Sequence, residues 1–317
     1  MAIDASVTVS NLTKRFGHLV AVDSISLSVN QGEVLGFLGP NGAGKSTTMK
    51  MITGYLNATS GVVEIGGKKL SSMNSALKKN IGYVPEGAPA YGEMTPLSYL
   101  KFIAEIRSIG KKERKNRVEE IMTLMNLNEV ATRRIETLSK GYKRRVGLAQ
   151  AIIHDPNILI MDEPTDGLDP NQKHEIRSLI RSMAPKKAII ISTHILEEID
   201  SVCTKIAIIN SGKIIFTGTP RQLANESKLN NALTVVVSQE MLEPLKEFLL
   251  NTPQVAELKE VYQGNSVRVT AVMENKSYVD KDILKKLIDS NIHPSEYFLE
   301  KGRLDQVFRR LTDEKET

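Results

Sequence analysis

The chain has 317 residues, of which 41% are hydrophobic and 25% are charged, and its formal net charge is +5. This composition excludes an intrinsically disordered chain, and the length predicts one large α/β domain with a smaller second domain. The sequence has no apolar run of the ~18 residues that span a membrane, and Met1–Ala5 has neither the basic start nor the apolar core of a secretory signal, so we expect a cytoplasmic protein.

The chain begins with two segments in which apolar and polar residues alternate, Val7–Asn11 and Leu19–Val29. Alternation is typical of half-buried strands, and Phe16–Gly17 between them predicts the turn of an antiparallel hairpin. Phe16 is then exposed, where its ring can stack on a purine with a gain of about 1 to 3 kcal/mol. A Phe in the core is the alternative interpretation.

The next feature is a glycine-rich loop, residues 39–46, which matches the pattern G-x-x-x-x-G-K-[ST]. The apolar run Val34–Leu38 before it predicts a strand, and Thr47–Ile52 after it predicts a helix. The glycines let successive N–H groups converge on a polyphosphate at the positive end of that helix, Lys45 adds a mobile cation, and the Ser46 hydroxyl is suited to Mg²⁺. The predicted nucleoside triphosphate ligands are Gly39, Asn41, Gly42, Ala43, Gly44, Lys45, Ser46 and Thr47.

The middle of the chain changes from a strand pattern to a helical one. Lys79–Val84 predicts a strand that ends at Pro85–Glu86, and over about Thr95–Leu127 the apolar residues recur at helical spacing. We predict an all-helical insertion over about residues 87–155, which ends in a helix over about Arg144–Ile153.

Two apolar runs then end in polar side chains. Ile158–Met161 is followed by Asp162 and Glu163, and Ala188–Ser192 is followed closely by His194. Continuous apolar runs predict central strands of a parallel sheet, whose carboxyl ends open on the ligand crevice. The two carboxylates and the histidine are therefore predicted to face the phosphates.

The last part of the chain predicts strands and short helices in the order β-α-β-β-α-β with a final helix. The clearest of these elements are Leu233–Val237, Glu243–Leu250, Ser266–Val272, Asp280–Ser290 and Arg303–Leu311. The order is that of a small ferredoxin-like α+β domain. We therefore divide the chain into a nucleotide-binding domain, residues 1–228, and an accessory domain, residues 229–317.

Several motifs follow one another in a set order. They are Gly39–Ser46, Pro85–Glu86, Leu138–Tyr142, Ile160–Glu163, Asp166–Asp169 and His194. Across about Val7–Asn225 the chain resembles the ATP-binding subunit of an ATP-binding cassette (ABC) transporter, most of all the bacterial efflux and gliding-motility-associated type. The resemblance implies an antiparallel β subdomain, a RecA-like core and a helical insertion. It also implies a separately encoded membrane permease as partner, with the chain peripheral on the inner face of the cell membrane.

The same residues fit the chemistry of ATP hydrolysis, which needs charge neutralised on the γ-phosphate and a water held in line with the bond that breaks. Lys45 and Mg²⁺ are predicted to supply the charge. Glu163 is predicted to polarise the water as general base, and His194 to contact the γ-phosphate. Glu86 is predicted to be catalytic together with Lys45, Glu163 and His194. The predicted magnesium ligands are Ser46, Asp162 and Glu86.

Ser139 and Gly141 have no target in their own chain, because the helical insertion carries them away from the phosphate loop. In the family such residues complete the site of a second subunit, with the residue at Asp169 nearby. The resemblance therefore implies a head-to-tail dimer, formed by two copies or with a paired second ATPase subunit, that encloses ATP between its subunits.

The sequence departs from the family pattern in two motifs. Glu86 stands where Gln is usual, which keeps an oxygen for Mg²⁺ but loses an amide donor and adds a negative charge. Lys140 and Tyr142 replace Gly and Gln in the usual Leu-Ser-Gly-Gly-Gln signature, and a lysine there favours an approaching phosphate.

Two other functions share a phosphate-binding loop. A soluble ABC-type ATPase that acts on nucleic acid or ribosomes usually has two cassettes or a long coiled coil, and neither occurs in this sequence. A GTP switch needs Asn-Lys-x-Asp, and the nearest match, Asn275–Tyr278, lacks the carboxylate.

The basic clusters, such as Lys111–Arg117 and Lys143–Arg145, predict either a solvated helix face or attraction to anionic lipid or nucleic acid. Few aromatic residues lie near them to stack bases, so we expect no nucleic-acid partner.

Overall fold

The structure is a computed structural model that describes residues 6–71, 75–87, 90–227, 229–253, 255–274, 282–300 and 302–313. The chain divides into two compact units, residues 1–220 and 221–317. The functional division after residue 228 stays a prediction. Among the described residues, no helix combines the length and the hydropathy needed to cross a membrane.

The described residues of the first unit contain two sheets. Their strands are β1 (Val7–Phe16), β2 (Leu19–Val29), β3 (Val34–Leu38), β4 (Ser60–Ile65), β5 (Lys68–Lys69), β6 (Ile81–Val84), β7 (Ile158–Asp162), β8 (Ala188–Thr193), β9 (Lys205–Asn210) and β10 (Lys213–Gly218). One sheet is antiparallel, in the order β2-β1-β4-β5, and contains the predicted hairpin. The other has the order β10-β9-β3-β8-β7-β6 and is parallel except for β10 at its edge.

Strands β3, β7 and β8 are buried along their whole lengths, as their continuous apolar sequences predict. Their parallel pairing brings their carboxyl ends to one edge of the sheet. The same core contains Cys203, whose thiol packs against Gly36 of β3. A Cβ built on Gly36 would lie only 2.8 Å from the Cys203 sulfur. Burial, with the nearby charge of Glu198, raises the pKa of the Cys203 thiol to about 12.

The helices of the first unit are α1 (Lys45–Ile52), α2 (Ser75–Lys78), α3 (Pro96–Ile106), α4 (Lys111–Leu124), α5 (Lys140–Ile152), α6 (Pro170–Met183) and α7 (Leu196–Val202). Helix α3 begins at a capping box, in which the Thr95 and Ser98 side chains each accept a hydrogen bond from the other's backbone N–H. Helix α5 begins before the predicted Arg144, because Ser139 caps it and Lys140 already lies in its first turn.

Strands β9 and β10 were absent from the sequence-based expectation, although they extend the central sheet. They are joined by the two-residue turn Ser211–Gly212, whose φ angles are 47° and 78°. Two successive left-handed residues suit the tight turns of hairpins, and the sequence Asn-Ser-Gly is a recognisable signal for one.

The second unit contains α8 (Pro220–Asn225), which begins at the boundary, and then β11 (Leu233–Ser238), α9 (Leu242–Leu250), β12 (Val255–Gln263), β13 (Ser266–Met273), α10 (Ile283–Asp289), β14 (Glu296–Leu299) and α11 (Leu304–Asp313). Its sheet is antiparallel in the order β12-β13-β11-β14. From β11 onward this is the predicted β-α-β-β-α-β order with a final helix. The first residues of the predicted helix at Asp280–Ser290 lie outside the described residues.

His154 lies just after α5, at the buried start of β6. Its Nε2 is 3.2 Å from the carbonyl oxygen of Ile81, and its Nδ1 is buried without a hydrogen-bond partner among the described residues. Burial, together with the positive charge of Arg107, lowers the pKa of His154 to about 4. The folded chain therefore keeps this ring neutral at pH values where an unfolded chain would protonate it.

We expect the free energy of unfolding to fall as the pH drops from about 6.5 toward 4, because only the unfolded chain binds a proton at His154 in this window. His154→Gln keeps a donor for Ile81 but cannot be protonated. Between about pH 7 and about pH 5, the free energy of unfolding of this variant, measured with urea, should therefore fall by roughly 1 to 2 kcal/mol less than that of the wild type. His174→Gln, at an exposed histidine, is the matched control. Equal losses of unfolding free energy in the wild type and both variants would contradict the lowered pKa of His154.

Candidate active site

The glycine-rich loop connects the end of β3 to the start of α1, as predicted. Gly42 and Gly44 have φ angles of 80° and 107°, in the left-handed region that favours glycine. A Cβ on Gly44 would also lie 2.6 Å from the carbonyl oxygen of Ala21, whereas a Cβ on Gly42 would meet nothing within 4 Å. Gly44 is therefore required both by its backbone angle and by its close approach to β2.

Lys45 is 6% exposed, and its ammonium lies inside the loop. It donates hydrogen bonds to the carbonyl oxygens of Gly39, at 2.8 Å, and Pro40, at 3.2 Å. The same ammonium lies 3.6 Å from Oε1 of Glu163 at the end of β7. The loop thus holds a positive charge beside the carboxylate that follows the central strand.

The two carboxylates after β7 have different surroundings. Asp162 is 1% exposed and accepts a hydrogen bond from the Ser192 hydroxyl of the paired strand β8. Glu163 is 8% exposed and has a φ of 49°, an unfavourable angle for a residue with a side chain. Its backbone N–H donates to the carbonyl and the hydroxyl oxygen of Ser192, which therefore fixes both acids.

His194 completes this group from the end of β8. Its Nδ1 is 2.9 Å from Oε2 of Glu163, and its side chain is 48% exposed, so the ring reaches solvent. On the buried side, Tyr83 has a hydroxyl with no partner among the described residues. Burial raises the pKa of Tyr83, and the charges of Asp162, Tyr55 and Glu86 add to the shift.

A cavity of about 560 Å³ opens between the loop and these carboxylates. Its lining consists of Ala21, Pro40, Asn41, Gly42, Gly44, Lys45, Ser46, Thr47, Glu86, Glu163, Asp166 and His194. Most predicted residues of the loop and strand ends therefore lie together. Sequence reasoning missed Ala21, Asp166 and Ser192 as site residues. Asp166 had a signal, because it lies in a motif loop, whereas an alanine or serine within a strand gives none.

The other predicted residues do not line this cavity. Gly39 and Ala43 belong to the loop, and Asp162 is the last residue of β7. Phe16 is 48% exposed, with the Lys14 ammonium 5.0 Å from its ring centroid. The exposure predicted for Phe16 is confirmed.

Ser139, Gly141 and Asp169 have structural roles within their own chain. Ser139 and Asp169 cap α5 and α6, since their side chains accept from the N–H groups of Tyr142, at 3.4 Å, and Gln172, at 2.9 Å. A Cβ on Gly141 would lie 2.6 Å from the terminal amide of Gln172, so a side chain at this position would displace that amide.

Comparison with known proteins decides the family. Residues 22–166 match the family model described as ABC transporter. The chain is 34% identical over 264 residues to the uncharacterized ABC transporter ATP-binding protein YxlF of Bacillus subtilis, a match that covers 83% of this chain and 85% of YxlF. The chain belongs to the ATP-binding proteins of ABC transporters. As an ABC ATPase it binds and hydrolyses ATP.

Two further matches agree with this family. The bacitracin transport ATP-binding protein BcrA of Bacillus licheniformis is 37% identical over 211 residues, covering 66% of this chain and 68% of BcrA. The ATP-binding cassette MJ0796, solved as a dimer in a post-hydrolysis state with ADP and Pi, superposes with a TM-score of 0.62 at 25% identity, covering 68% of this chain and 98% of MJ0796. ABC ATP-binding subunits pair with a membrane permease and dimerise, and a nucleic-acid or ribosome ATPase is not favoured. The nearest match to a GTP-switch motif, Asn275–Tyr278, lies outside the described residues.

We expect Gly44→Ala to weaken ATP binding by about tenfold more than Gly42→Ala does. Both variants place an alanine in a left-handed conformation, which costs about 1 to 3 kcal/mol, but only Gly44→Ala also drives a methyl group into Ala21. Titration with a fluorescent ATP analogue measures both affinities, with circular dichroism to check the fold. Equal affinities would show that the approach to β2 has no bearing on the loop.

Proposed function

We propose that this chain is the ATP-driven subunit of an ABC exporter, which couples dimerisation around ATP to movement in a separately encoded membrane permease. The observation that carries the proposal is the meeting of Lys45, Glu163 and His194 at one cavity beneath a phosphate-binding loop. The name of BcrA links it to bacitracin transport, and export as the direction is part of our proposal. The gliding-motility association of the resemblance stays a prediction, as does the peripheral position on the inner face of the membrane.

The donor set fits ATP with Mg²⁺. Ser46 lines the cavity, and Asp162 offers a buried carboxylate at the end of β7. In proteins, Mg²⁺ bound with a nucleotide usually takes one or two carboxylates together with phosphate oxygens and water. Glu86 adds a carboxylate at the rim of the cavity. Bound Mg²⁺ would neutralise charge on the β- and γ-phosphates, together with the Lys45 ammonium.

Glu163 is the proposed general base. Its carboxylate takes a proton from the attacking water, whose oxygen bonds to the γ-phosphorus. The bond from this phosphorus to the bridging oxygen breaks, and its electron pair stays with ADP. The contact with Nδ1 of His194 orients the carboxylate, and it leaves the other ring nitrogen of His194 for the γ-phosphate.

The complete site is proposed to need a second subunit. Ser139, Gly141 and Asp169 lie outside the lining of the cavity in their own chain, and the first two lie at the start of α5, where the helix dipole favours an anion. In a head-to-tail dimer they would cover the ATP of the facing subunit. The dimeric state in which MJ0796 was solved supports dimerisation, and the head-to-tail pairing is part of our proposal.

We expect Glu163→Gln to lower the ATPase rate by about 100-fold or more, because an amide cannot take the proton of the attacking water. The variant should still bind ATP and, since it cannot hydrolyse it, accumulate as an ATP-bound dimer. Phosphate release measures turnover, and size-exclusion chromatography with light scattering measures the dimer.

Glu197→Gln is the matched control, because it makes the same change near the site at a side chain that is 82% exposed. It should keep its rate within about twofold, as expected for a surface substitution. Wild-type turnover of Glu163→Gln would refute the base assignment. A monomer in saturating ATP would refute the composite site.

A further inference from the structure

A second cavity, of about 470 Å³, lies beside the nucleotide cavity in the first unit. Its lining consists of Glu86, Gly87, Lys140, Lys143, Arg144, Asp166 and Gly167. Three of these side chains are cations and two are carboxylates, so the lining has an excess of positive charge. Such a lining favours an anionic ligand.

Arg144 is the buried cation of this second cavity. It is 6% exposed, and its Nη1 is fully buried with no hydrogen-bond partner among the described residues. Burial lowers the pKa of Arg144, and the charges of Asp166 and Glu163 oppose the shift. A buried guanidinium nitrogen without an acceptor is costly, so Arg144 keeps hydrogen-bonding capacity for an anion that reaches its side chain from the cavity it lines.

Arg145, the next residue of α5, has partners for its guanidinium group. Arg145 donates to the carbonyl oxygen of Met125, at 3.3 Å, and pairs with the carboxylate of Glu175. It does not line the second cavity. Of these two adjacent arginines, Arg144 is the one that has a buried nitrogen without a partner among the described residues and the one that lines the cavity.

The geometry suits a phosphate. A guanidinium presents parallel N–H groups that match the oxygens of a phosphate, and two lysines beside it add charge. Lys140 and Lys143 lie in the first turn of α5, whose dipole also favours an anion. Ser139 and Gly141, the residues proposed to meet the ATP of a second subunit, flank Lys140 in the sequence but do not line this cavity.

The two cavities share Glu86 and Asp166 in their linings. The second cavity adds Lys140, Lys143 and Arg144 to these carboxylates, so a phosphate that leaves the nucleotide cavity on this side would meet three cations. We infer that the second cavity binds the inorganic phosphate released by hydrolysis before it leaves the subunit. This inference rests on the proposed function.

The test is calorimetric titration of inorganic phosphate into the full chain saturated with ADP and Mg²⁺. The wild type should bind phosphate, and Arg144→Gln should weaken the affinity by about tenfold or more, since charged hydrogen bonds are lost. Arg145→Gln removes the same charge from the neighbouring position and should leave the affinity within about twofold. Thermal unfolding checks each variant. If Arg144→Gln does not fold, Lys143→Ala should weaken phosphate binding by about threefold or more.

A third variant separates this cavity from the phosphate loop. The Lys45→Ala variant, measured without nucleotide, should still bind phosphate. The double variant that also carries Arg144→Gln should lose this binding. Absence of binding in the wild type, unchanged affinity in Arg144→Gln, or loss of binding through Lys45→Ala would overturn the inference. If the chain hydrolyses ATP but shows no Arg144-dependent binding of phosphate, the inference about the second cavity is wrong and the proposed function stands. Arg144-dependent binding in a chain that does not hydrolyse ATP would refute the proposed function, and with it the assignment of the phosphate as a reaction product.

Discussion

The pairing of β7 with β8 is the constraint on which the site depends. It sets Asp162 opposite Ser192, so that one serine hydroxyl contacts both consecutive acids, and it brings His194 to the Glu163 carboxylate. Lys45 reaches the same carboxylate from the loop after β3, the strand on the other side of β8. A shift of one residue in this register would turn Ser192 away from the acids, because successive side chains in a strand point to opposite faces.

Glu163 keeps a left-handed backbone that only strong surroundings can maintain. Its N–H is tied to Ser192, and its carboxylate lies between an ammonium and an imidazole. These contacts restrict the rotamer and the backbone together, so the acid is aimed before any nucleotide arrives. Such preorganisation is what electrostatic catalysis requires, because a mobile carboxylate would have to be ordered during the reaction.

Much of this arrangement could be predicted from the sequence, because the loop and the apolar strands carry strong local signals. A glycine-rich turn between a strand and a helix has few other uses, and a continuous apolar run implies a central strand. Ser192 and Arg144 could not be found in this way. A serine in a strand reads as an ordinary residue, and an arginine within Lys143–Arg145 reads as one of several surface cations until the fold shows which one is enclosed. The start of α5 was placed too late for a related reason, since the cap at Ser139 begins a helix whose first turn is polar.

The lone thiol has a practical consequence. Cys203 is buried, and its pKa of about 12 leaves almost no thiolate at neutral pH. Maleimides and similar reagents react with the thiolate, so we expect them to label Cys203 of the natural chain only very slowly. A cysteine introduced on the surface would therefore carry a spin or fluorescent label alone, and distances between subunits can be followed without first removing a native residue.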